Sequence, residues 1–344
     1  MKSRSIIWIL YPFAFFYWII VLCKNIFYKC GIFSSRKLPC SVISIGNLTV
    51  GGTGKTILVI HLAKLLQKKN KKVAILTRGY GRKKRGHFLV TDGQSILKNI
   101  TPEHCGDEPF LMAKILKEIP IMIDKNRYRG GIKLVKQFQP DVILLDDGFQ
   151  HRALFRDLDI ILVNAQDKEI NHKILPIGLL REPWKNINRS DIIILTKYNL
   201  RSDNSYLLKK LKNTNKTIMK AQLSNQLSSL KIQSNLEFNE LIKKLGFVFA
   251  GIGDTKSLIE SIKKLGVKIS GTKFFKDHHI YNKTDLKNID REAKKVNAKY
   301  LITTEKDWVK TQSFITNLPI IILSACFKIE SKNKLNKLID QKIG

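Results

Sequence analysis

Apolar residues along the chain follow two alternating spacings. Short, nearly continuous apolar runs, which are typical of buried strands, are separated by longer segments in which apolar residues recur every three or four positions, as in helices. This alternation favours a doubly wound α/β fold with a mainly parallel sheet. Before residue 200 the predicted strands lie at 42–45, 73–76, 119–124, 142–145, 157–165 and 190–198.

The alternation is interrupted and then resumes in the C-terminal part of the chain. Residues 201–239 are polar, with short β-like runs at 217–223 and 230–233. From Leu245 onward, apolar runs and helical spacing return over a shorter length. This pattern predicts a second, smaller C-terminal α/β lobe, joined to the first part through the polar stretch.

Residues 6–23 form an apolar segment without charge, between basic residues on both sides. Its length is at the lower end for a bilayer span, and its tryptophans and tyrosines suit a membrane interface. It lacks both the polar face of a soluble core helix and a following signal-peptide cleavage site. We predict an N-terminal membrane helix that Pro12 kinks or divides, with spanning and in-plane insertion both open.

The predicted strand at 42–45 runs into a glycine-rich loop that ends in Lys-Thr and a helix, within SVISIGNLTVGGTGKT. Such a loop turns backbone N–H groups towards phosphate oxygens at a helix N-terminus. It predicts a P-loop, although Thr49 stands where the general pattern has glycine. The predicted nucleotide-binding residues are Thr49, Val50, Gly51, Gly52, Thr53, Gly54, Lys55 and Thr56.

A buried strand that ends in two acids, VILLDD, supports the same interpretation. Asp146 and Asp147 follow its apolar run, as in the acidic strand that P-loop ATPases use towards Mg²⁺. Lys55 is expected to reach the β- and γ-phosphates, and the Thr56 hydroxyl to ligate the metal. ATP and Mg²⁺ are therefore the predicted cofactors.

Other charged clusters have two interpretations each. Asp107 and Glu108 precede Pro109, which fits either an ordinary helix start or two carboxylates that act on a hydroxyl or a metal. The basic loop 78–85 is either solvated or clamps a phosphate beside the nucleotide.

Composition narrows the range of partners. The formal net charge is +33, which favours anionic partners, although a general lysine-rich composition gives the same number. No nucleic-acid-binding motif is present, and the five cysteines are scattered without a C-x-x-C pair. Neither a disulfide framework nor a zinc site is indicated, so a reducing cytosol fits best.

Several segments in one order resemble a known family. GNLTVGGTGKT, LTRGYGR, GDEPFLMA, LLDDGFQH, LREP, DHH and TTEKD, with the apolar start, are similar to the tetraacyldisaccharide 4′-kinases of lipid A biosynthesis. The resemblance covers nearly the whole chain. It implies a P-loop kinase domain over 29–224, a membrane-anchoring helix over 1–28, and a lobe over 225–344 that closes the active-site cleft.

The resemblance also implies residue roles. Asp107 would be the base and His278 its partner, with His279 the weaker candidate, while Lys55 and Arg181 would neutralise phosphoryl charge. A role for His151 stays undecided. The metal-ligating candidates are Thr56, Glu108, Asp146 and Asp147.

The implied reaction is transfer of the γ-phosphoryl group of ATP to the 4′-hydroxyl of a tetraacylated glucosamine disaccharide 1-phosphate, giving lipid IVA. The implied location is the inner membrane with its anionic lipids, with the catalytic body on the cytoplasmic side. We expect no nucleic-acid partner and no obligate protein partner.

The sequence is also compatible with two other functions. The first is a GTP- or ATP-driven switch, since IIILTKYN resembles a guanine-reading segment, but with Asn199 at the position of an aspartate. The second is a membrane-bound nucleic-acid ATPase, motivated by the charge.

Overall fold

The chain folds around one mixed sheet. The structure is a computed structural model that describes residues 2–200, 205–231, 238–253, 255–277, 279–312 and 316–343. In the described residues the sheet has twelve strands. They are β1 (Ser41–Asn47), β2 (Val73–Thr77), β3 (Phe88–Thr91), β4 (Ile121–Ile123), β5 (Val142–Asp146), β6 (Leu158–Asn164), β7 (Ile192–Thr196), β8 (Thr217–Lys231), β9 (Leu245–Gly251), β10 (Lys268–Phe275), β11 (Tyr300–Thr304) and β12 (Ile320–Ile329).

Helices connect most of the strands. They are α1 (Lys2–Lys29), α2 (Lys55–Lys68), α3 (Pro102–Cys105), α4 (Asp107–Ile115), α5 (Arg127–Phe138), α6 (Ser205–Lys212), α7 (Phe238–Leu241), α8 (Thr255–Lys264), α9 (Lys283–Lys295), α10 (Glu305–Thr311) and α11 (Lys332–Ile343). Short 3₁₀ helices lie at Glu169–His172, Trp184–Arg189 and Tyr198–Leu200.

The strand order is β10-β9-β11-β12-β8-β7-β6-β1-β5-β2-β4-β3. All neighbouring pairs are parallel except β3 with β4 and β8 with β12. This confirms the predicted mainly parallel α/β class. Most of these strands are buried along their length, which explains why they appear in the sequence as continuous apolar runs.

β8 connects the two halves of the sheet. The two β-like runs that the sequence showed here are joined in one strand of 15 residues, and the end of the second run, at 232–233, lies outside the described residues. β8 pairs in parallel with β7 on one side and antiparallel with β12 on the other. The predicted boundary between residues 224 and 225 falls inside this strand, so the division into two units remains a prediction.

The position of β1 determines where the loops meet. β1 lies between β5 and β6, with Ile45 beside Asp146 in the register. After β1 the chain continues to β2 on one side, and after β5 it passes back across β1 to β6 on the other side. Ligands bind at such switch points, outside the carboxyl ends of the strands. The loops after β1 and β5 therefore converge at one edge of the sheet.

α1 lies against this body along one narrow stripe. It continues through Pro12 instead of dividing there. Within Trp8–Lys29, which is long and apolar enough to cross a membrane, only 6% of the segment is buried. The less exposed positions recur every three or four residues and include Leu10, Ala14, Tyr17, Val21, Asn25 and Tyr28.

Candidate active site

The predicted P-loop joins β1 to α2 as expected. Gly51 and Gly54 adopt φ angles of +117° and +89°, in the left-handed region that glycine tolerates best. A Cβ at Gly54 would lie 2.4 Å from the Phe327 ring of β12, so this glycine is also required by packing. Lys55 and Thr56 are the first two residues of α2 and are partly buried.

Asn47, at the end of β1, connects the loop internally. Its Oδ1 accepts a hydrogen bond of 3.1 Å from Lys55 Nζ, and its Nδ2 donates one of 3.1 Å to Thr53 Oγ1. Thr196, at the end of β7, donates through its hydroxyl to the Thr53 carbonyl at 3.0 Å. Asn47 could not be selected from the sequence, since its contacts depend on the folded loop.

The LREP segment pairs with the same loop through its backbone. Val50 N–H donates to the Leu179 carbonyl at 2.7 Å, and Arg181 N–H donates to the Leu48 carbonyl at 2.8 Å. Thr49 is buried and forms a β-bridge with Leu180. The structure thus brings Arg181 beside the P-loop, as the sequence predicted.

Asp147 is held between two cations. Its carboxylate accepts hydrogen bonds from Arg181 Nη1 at 3.1 and 2.9 Å and lies 3.5 Å from Lys55 Nζ. Burial alone would raise its pKa, but Lys55 and Arg181 lower the pKa below its ordinary value. Asp147 is therefore an anion whose charge is already balanced.

Asp146 has a different environment, although it is adjacent in sequence. Its Oδ2 accepts a hydrogen bond of 2.8 Å from Thr77 Oγ1, while its buried Oδ1 has no hydrogen bond to any described residue. Burial, followed by the charges of Glu108 and Asp147, raises the pKa of Asp146 to about 7. Asp146 Oδ1 is therefore a buried carboxylate oxygen to which no described residue donates a hydrogen bond.

The GDEP segment begins α4, with Asp107 and Glu108 as its first two residues. Gly106 before them has a φ angle of +95°, and a Cβ there would lie 2.7 Å from the Tyr80 carbonyl. The carboxylate of Asp107 lies 3.4 Å from the Nζ of Lys310, which belongs to α10. Packing of α4 against both α2 and α10 thus brings Asp107 between the P-loop and the C-terminal strands.

The second predicted catalytic residue, His278, lies outside the described residues. Its neighbour His279 stacks on Phe275, and its Nε2 lies 3.0 Å from Asp285 Oδ2. Asp285 also forms the capping box of α9 with Asn282. His279 is thereby engaged in holding the start of α9, and the preference for His278 stays a prediction.

A cavity of about 390 Å³ opens beside Asp147 and α1; we name it the basic cavity. Its lining has more cations than anions, and its two acids, Asp147 and Glu182, are paired with Arg181 and Arg189. Tyr17 of α1 closes one side and donates to the Arg181 carbonyl at 2.8 Å. The lining residues are Tyr17, Val21, Lys24, Asn25, Arg78, Lys125, Arg127, Asp147, Gln150, His151, Arg181 and Glu182.

Two residues of the basic cavity have lowered pKa values. Arg127 is 2% exposed, and burial lowers its pKa to about 10 despite the nearby Asp146. Burial, and then Arg127 and Lys24, lower the pKa of His151 to about 4, so its imidazole is neutral at pH 7. Arg127 could not be identified from the sequence, because a single arginine at a helix start forms no recognisable motif.

The basic loop 78–85 does not act as one unit. Arg78 lines the basic cavity, whereas Lys83 pairs with Glu103 at 2.6 Å and Lys84 lies over the Phe88 ring. Of these three residues, Arg78 is the one placed to contact a phosphate, and Lys83 and Lys84 have structural partners.

The guanine-reading alternative meets an obstacle at Asn199. Its Nδ2 donates to the Leu223 carbonyl at 2.9 Å, and its Oδ1 accepts from the Leu223 N–H at 2.9 Å. The donor and the acceptor of the side-chain amide both connect this loop to β8. Asn199 is therefore occupied by a backbone contact rather than presented to a base.

The fold and site define an α/β P-loop enzyme with an acidic pair behind the phosphate site and a basic cavity beside it. A family model for tetraacyldisaccharide-1-P 4′-kinase matches residues 6–344. A tetraacyldisaccharide 4′-kinase of Chlorobaculum tepidum is 38% identical over 313 residues, which cover 90% of this chain and 88% of that protein. The enzyme of that name from Aquifex aeolicus is 36% identical, over 96% of this chain and 97% of its own.

A crystal structure of LpxK from Aquifex aeolicus in complex with ATP matches with a TM-score of 0.81 and 34% identity, over the full length of both chains. The chain belongs to the tetraacyldisaccharide-1-P 4′-kinase family.

Proposed function

We propose that the chain transfers the γ-phosphoryl group of ATP to the 4′-hydroxyl of a tetraacylated disaccharide 1-phosphate, with Asp107 as the base. Besides membership of the family, one observation carries the assignment of the base. Glu108 lies close enough to Asp146 to raise its pKa, so the start of α4 faces the acidic end of β5 beside the P-loop. We therefore propose that Asp107, the residue before Glu108 at the start of α4, meets the acceptor hydroxyl beside the γ-phosphate.

The proposed step is a single displacement. Asp107 accepts the proton of the 4′-hydroxyl while the hydroxyl oxygen forms a bond to the γ-phosphorus. The bond between the γ-phosphorus and the bridging oxygen breaks, and ADP leaves with that oxygen. Lys55 and Arg181, which flank Asp147, supply positive charge to the phosphoryl oxygens. The proposed partner of Asp107 is His278, since His279 is used to hold α9.

The residues present fit a Mg²⁺ ion. Asp146 offers a buried carboxylate oxygen without a hydrogen bond among the described residues, and its neighbour Glu108 adds negative charge. The described side chains include no cluster of three or more His, Cys, Asp or Glu that would form a complete cage. This agrees with Mg²⁺ chemistry, in which one or two carboxylates act together with substrate phosphates and water.

We assign direct contact with Mg²⁺ to Asp146 and Thr56, with Glu108 and Asp147 around them. Asp147 is already balanced by Lys55 and Arg181, so it is better suited to orient those cations than to bind the metal. When bound, Mg²⁺ would neutralise charge on the β- and γ-phosphates.

The anionic 1-phosphate end of the acceptor is proposed to bind in the basic cavity, whose lining does not include Asp107. Cations from four segments surround the cavity, namely Lys24 of α1, Arg78, Lys125 and Arg127, and Arg181. An anionic disaccharide 1-phosphate is complementary to such a wall. The neutral His151 imidazole there is suited to hydrogen-bond a sugar hydroxyl, which is the role we assign to it.

The geometry of α1 supports in-plane insertion at the membrane. Its contact stripe runs from Leu10 to Tyr28, about 27 Å at 1.5 Å per residue, which is close to the thickness of the bilayer core. If α1 crossed the bilayer, the polar surface beside it, including Arg181 and Glu182, would lie in hydrocarbon. We therefore propose that α1 lies in the interface of the inner membrane and holds the basic cavity at the cytoplasmic surface.

The function is tested by offering γ-labelled ATP to the purified protein with three acceptors: the lipid disaccharide 1-phosphate, nucleic acid and water. The expected result is label in the lipid, dependent on Mg²⁺. Label released to water and stimulated by DNA or RNA would instead support a nucleic-acid ATPase.

A further inference from the structure

A buried lysine connects the proposed base to the C-terminal strands. The Lys310 side chain is 6% exposed, and its Nζ lies 3.4 Å from Asp107 Oδ2 and 3.3 Å from Asp307 Oδ1. Its other close neighbour is the ring of Tyr281, 5.6 Å away. The ammonium therefore bridges two carboxylates from different parts of the molecule.

The C-terminal side of this bridge is fixed by backbone contacts. Asp307 is fully buried, and its Oδ2 accepts hydrogen bonds from Gly251 N–H at 3.1 Å and Thr304 Oγ1 at 2.8 Å. These contacts connect Asp307 to the ends of β9 and β11. Lys310 lies three residues further along α10, so the position of its ammonium is set by the C-terminal strands.

The nucleotide side of the bridge is Asp107, at the first position of α4. Here we propose that Lys310 is a positioning residue for the phosphoryl transfer. Its ammonium holds the Asp107 carboxylate through Oδ2 and so sets the position of the base relative to the acceptor hydroxyl. Because β9 and β11 fix Asp307 and with it the start of α10, the base is aligned only while α10 is packed against α4. This inference rests on the proposed role of Asp107.

Burial makes this bridge sensitive to the loss of its cation. An ammonium this far from solvent is costly unless carboxylates surround it, and the carboxylates are costly without it. Loss of Lys310 would leave Asp107 and Asp307 facing each other without an intervening cation. A shift of the base by about 1 Å from its productive position is enough to lower a rate about 10²-fold.

A matched control lies in the same lobe. Lys273 of β10 pairs with Glu292 of α9, so this ion pair is confined to the C-terminal strands and their helices. Lys273→Met removes a cation of the same type without touching α4. Lys306 is a poorer control, since it pairs with Asp277, next to the proposed catalytic histidine.

The test compares Lys310→Met, Lys310→Arg, Asp307→Asn and Lys273→Met in steady-state phosphoryl transfer. We expect Lys310→Met to lower kcat about 10²-fold, with KM for ATP changed less than about twofold. Lys310→Arg keeps the charge and should recover about tenfold of this loss, and Asp307→Asn should lower kcat in the same direction. Lys273→Met should stay within about twofold of the parent protein.

Three results would overturn the inference: an unchanged kcat for Lys310→Met, an equal loss in Lys273→Met, or a loss confined to KM for ATP. If Lys310→Met does not fold, Lys310→Arg and Asp307→Asn decide by the same criteria. Asp107→Ala separates this inference from the proposed function. An active Asp107→Ala protein would remove the base itself, whereas an inactive one beside a fully active Lys310→Met would remove only the role of Lys310.

Discussion

Gly54 is the position where the P-loop and the C-terminal strands meet, and it allows a quantitative test. Its φ angle of +89° is unfavourable for alanine, and the added Cβ would lie 2.4 Å from one Phe327 ring atom and 2.7 Å from another. Gly54→Ala therefore combines backbone strain with overpacking. Neither effect requires a bound nucleotide.

The magnitude follows from these two terms. A left-handed backbone costs a residue with a Cβ about 1–2 kcal/mol, and an extra carbon in a packed contact costs about 1–3 kcal/mol. If the terms add, the free energy of unfolding should fall by about 2–5 kcal/mol. The N-terminus of α2 should also shift, which weakens ATP binding.

Gly52→Ala supplies the control in the same loop. The φ angle of Gly52 lies outside the left-handed region, and a Cβ there meets nothing within 4 Å. Its free energy of unfolding should stay unchanged or rise by up to about 1 kcal/mol, since alanine restricts the unfolded chain. In a Phe327→Leu background, Gly54→Ala should cost only the backbone term, measured relative to Phe327→Leu alone.

The assay is chemical unfolding in detergent without nucleotide, followed by calorimetric titration with ATP. Equal stability of Gly52→Ala and Gly54→Ala would refute the reasoning, because it would show that neither the φ angle nor the Phe327 contact constrains the loop. An equal cost of Gly54→Ala in the parent and in the Phe327→Leu background would refute the overpacking term.

Three further predictions concern the phosphate, the metal and the membrane. Lys55→Ala should lower kcat/KM at least about 10²-fold, and an unchanged kcat/KM would exclude the P-loop assignment. Because the folded pKa of Asp146 is raised, its contribution makes the metal-free protein less stable as pH rises from about 4 to 7. Asp146→Asn should abolish this contribution. Its free energy of unfolding, measured from about pH 4 to 7, should then fall less than that of the parent protein. In single-tryptophan variants, Trp8 and Trp18 should be quenched equally by brominated lipids if α1 lies in the interface. Depths about 15 Å apart would indicate a spanning helix.

Local patterns in the sequence predicted much of the nucleotide site. The P-loop, the acidic end of β5 and the acidic start of α4 are each contiguous in sequence, and their chemistry depends on adjacent residues. The parallel strands were equally visible, because burial on both faces makes them continuous apolar runs. β3 was missed, since a four-residue antiparallel edge strand, only half of it buried, produces little signal.

The parts that escaped prediction depend on contacts distant in sequence. Asn47 matters because the loop folds back on it, Phe327 because β12 packs on Gly54, and Lys310 because α10 meets α4. The polar stretch was expected to join two lobes, but β8 continues the sheet through it. The different roles of Asp146 and Asp147 also required the structure, because identical side chains differ here only in their surroundings.

The central claim is that Asp107 removes the proton from the acceptor hydroxyl while the P-loop holds ATP. The most direct test is transfer of γ-labelled phosphate from ATP to the lipid disaccharide 1-phosphate by Asp107→Ala protein, with ATP affinity measured in the same preparation. We predict that transfer is lost while ATP still binds with nearly the affinity of the parent protein. Transfer at the parent rate would contradict the account.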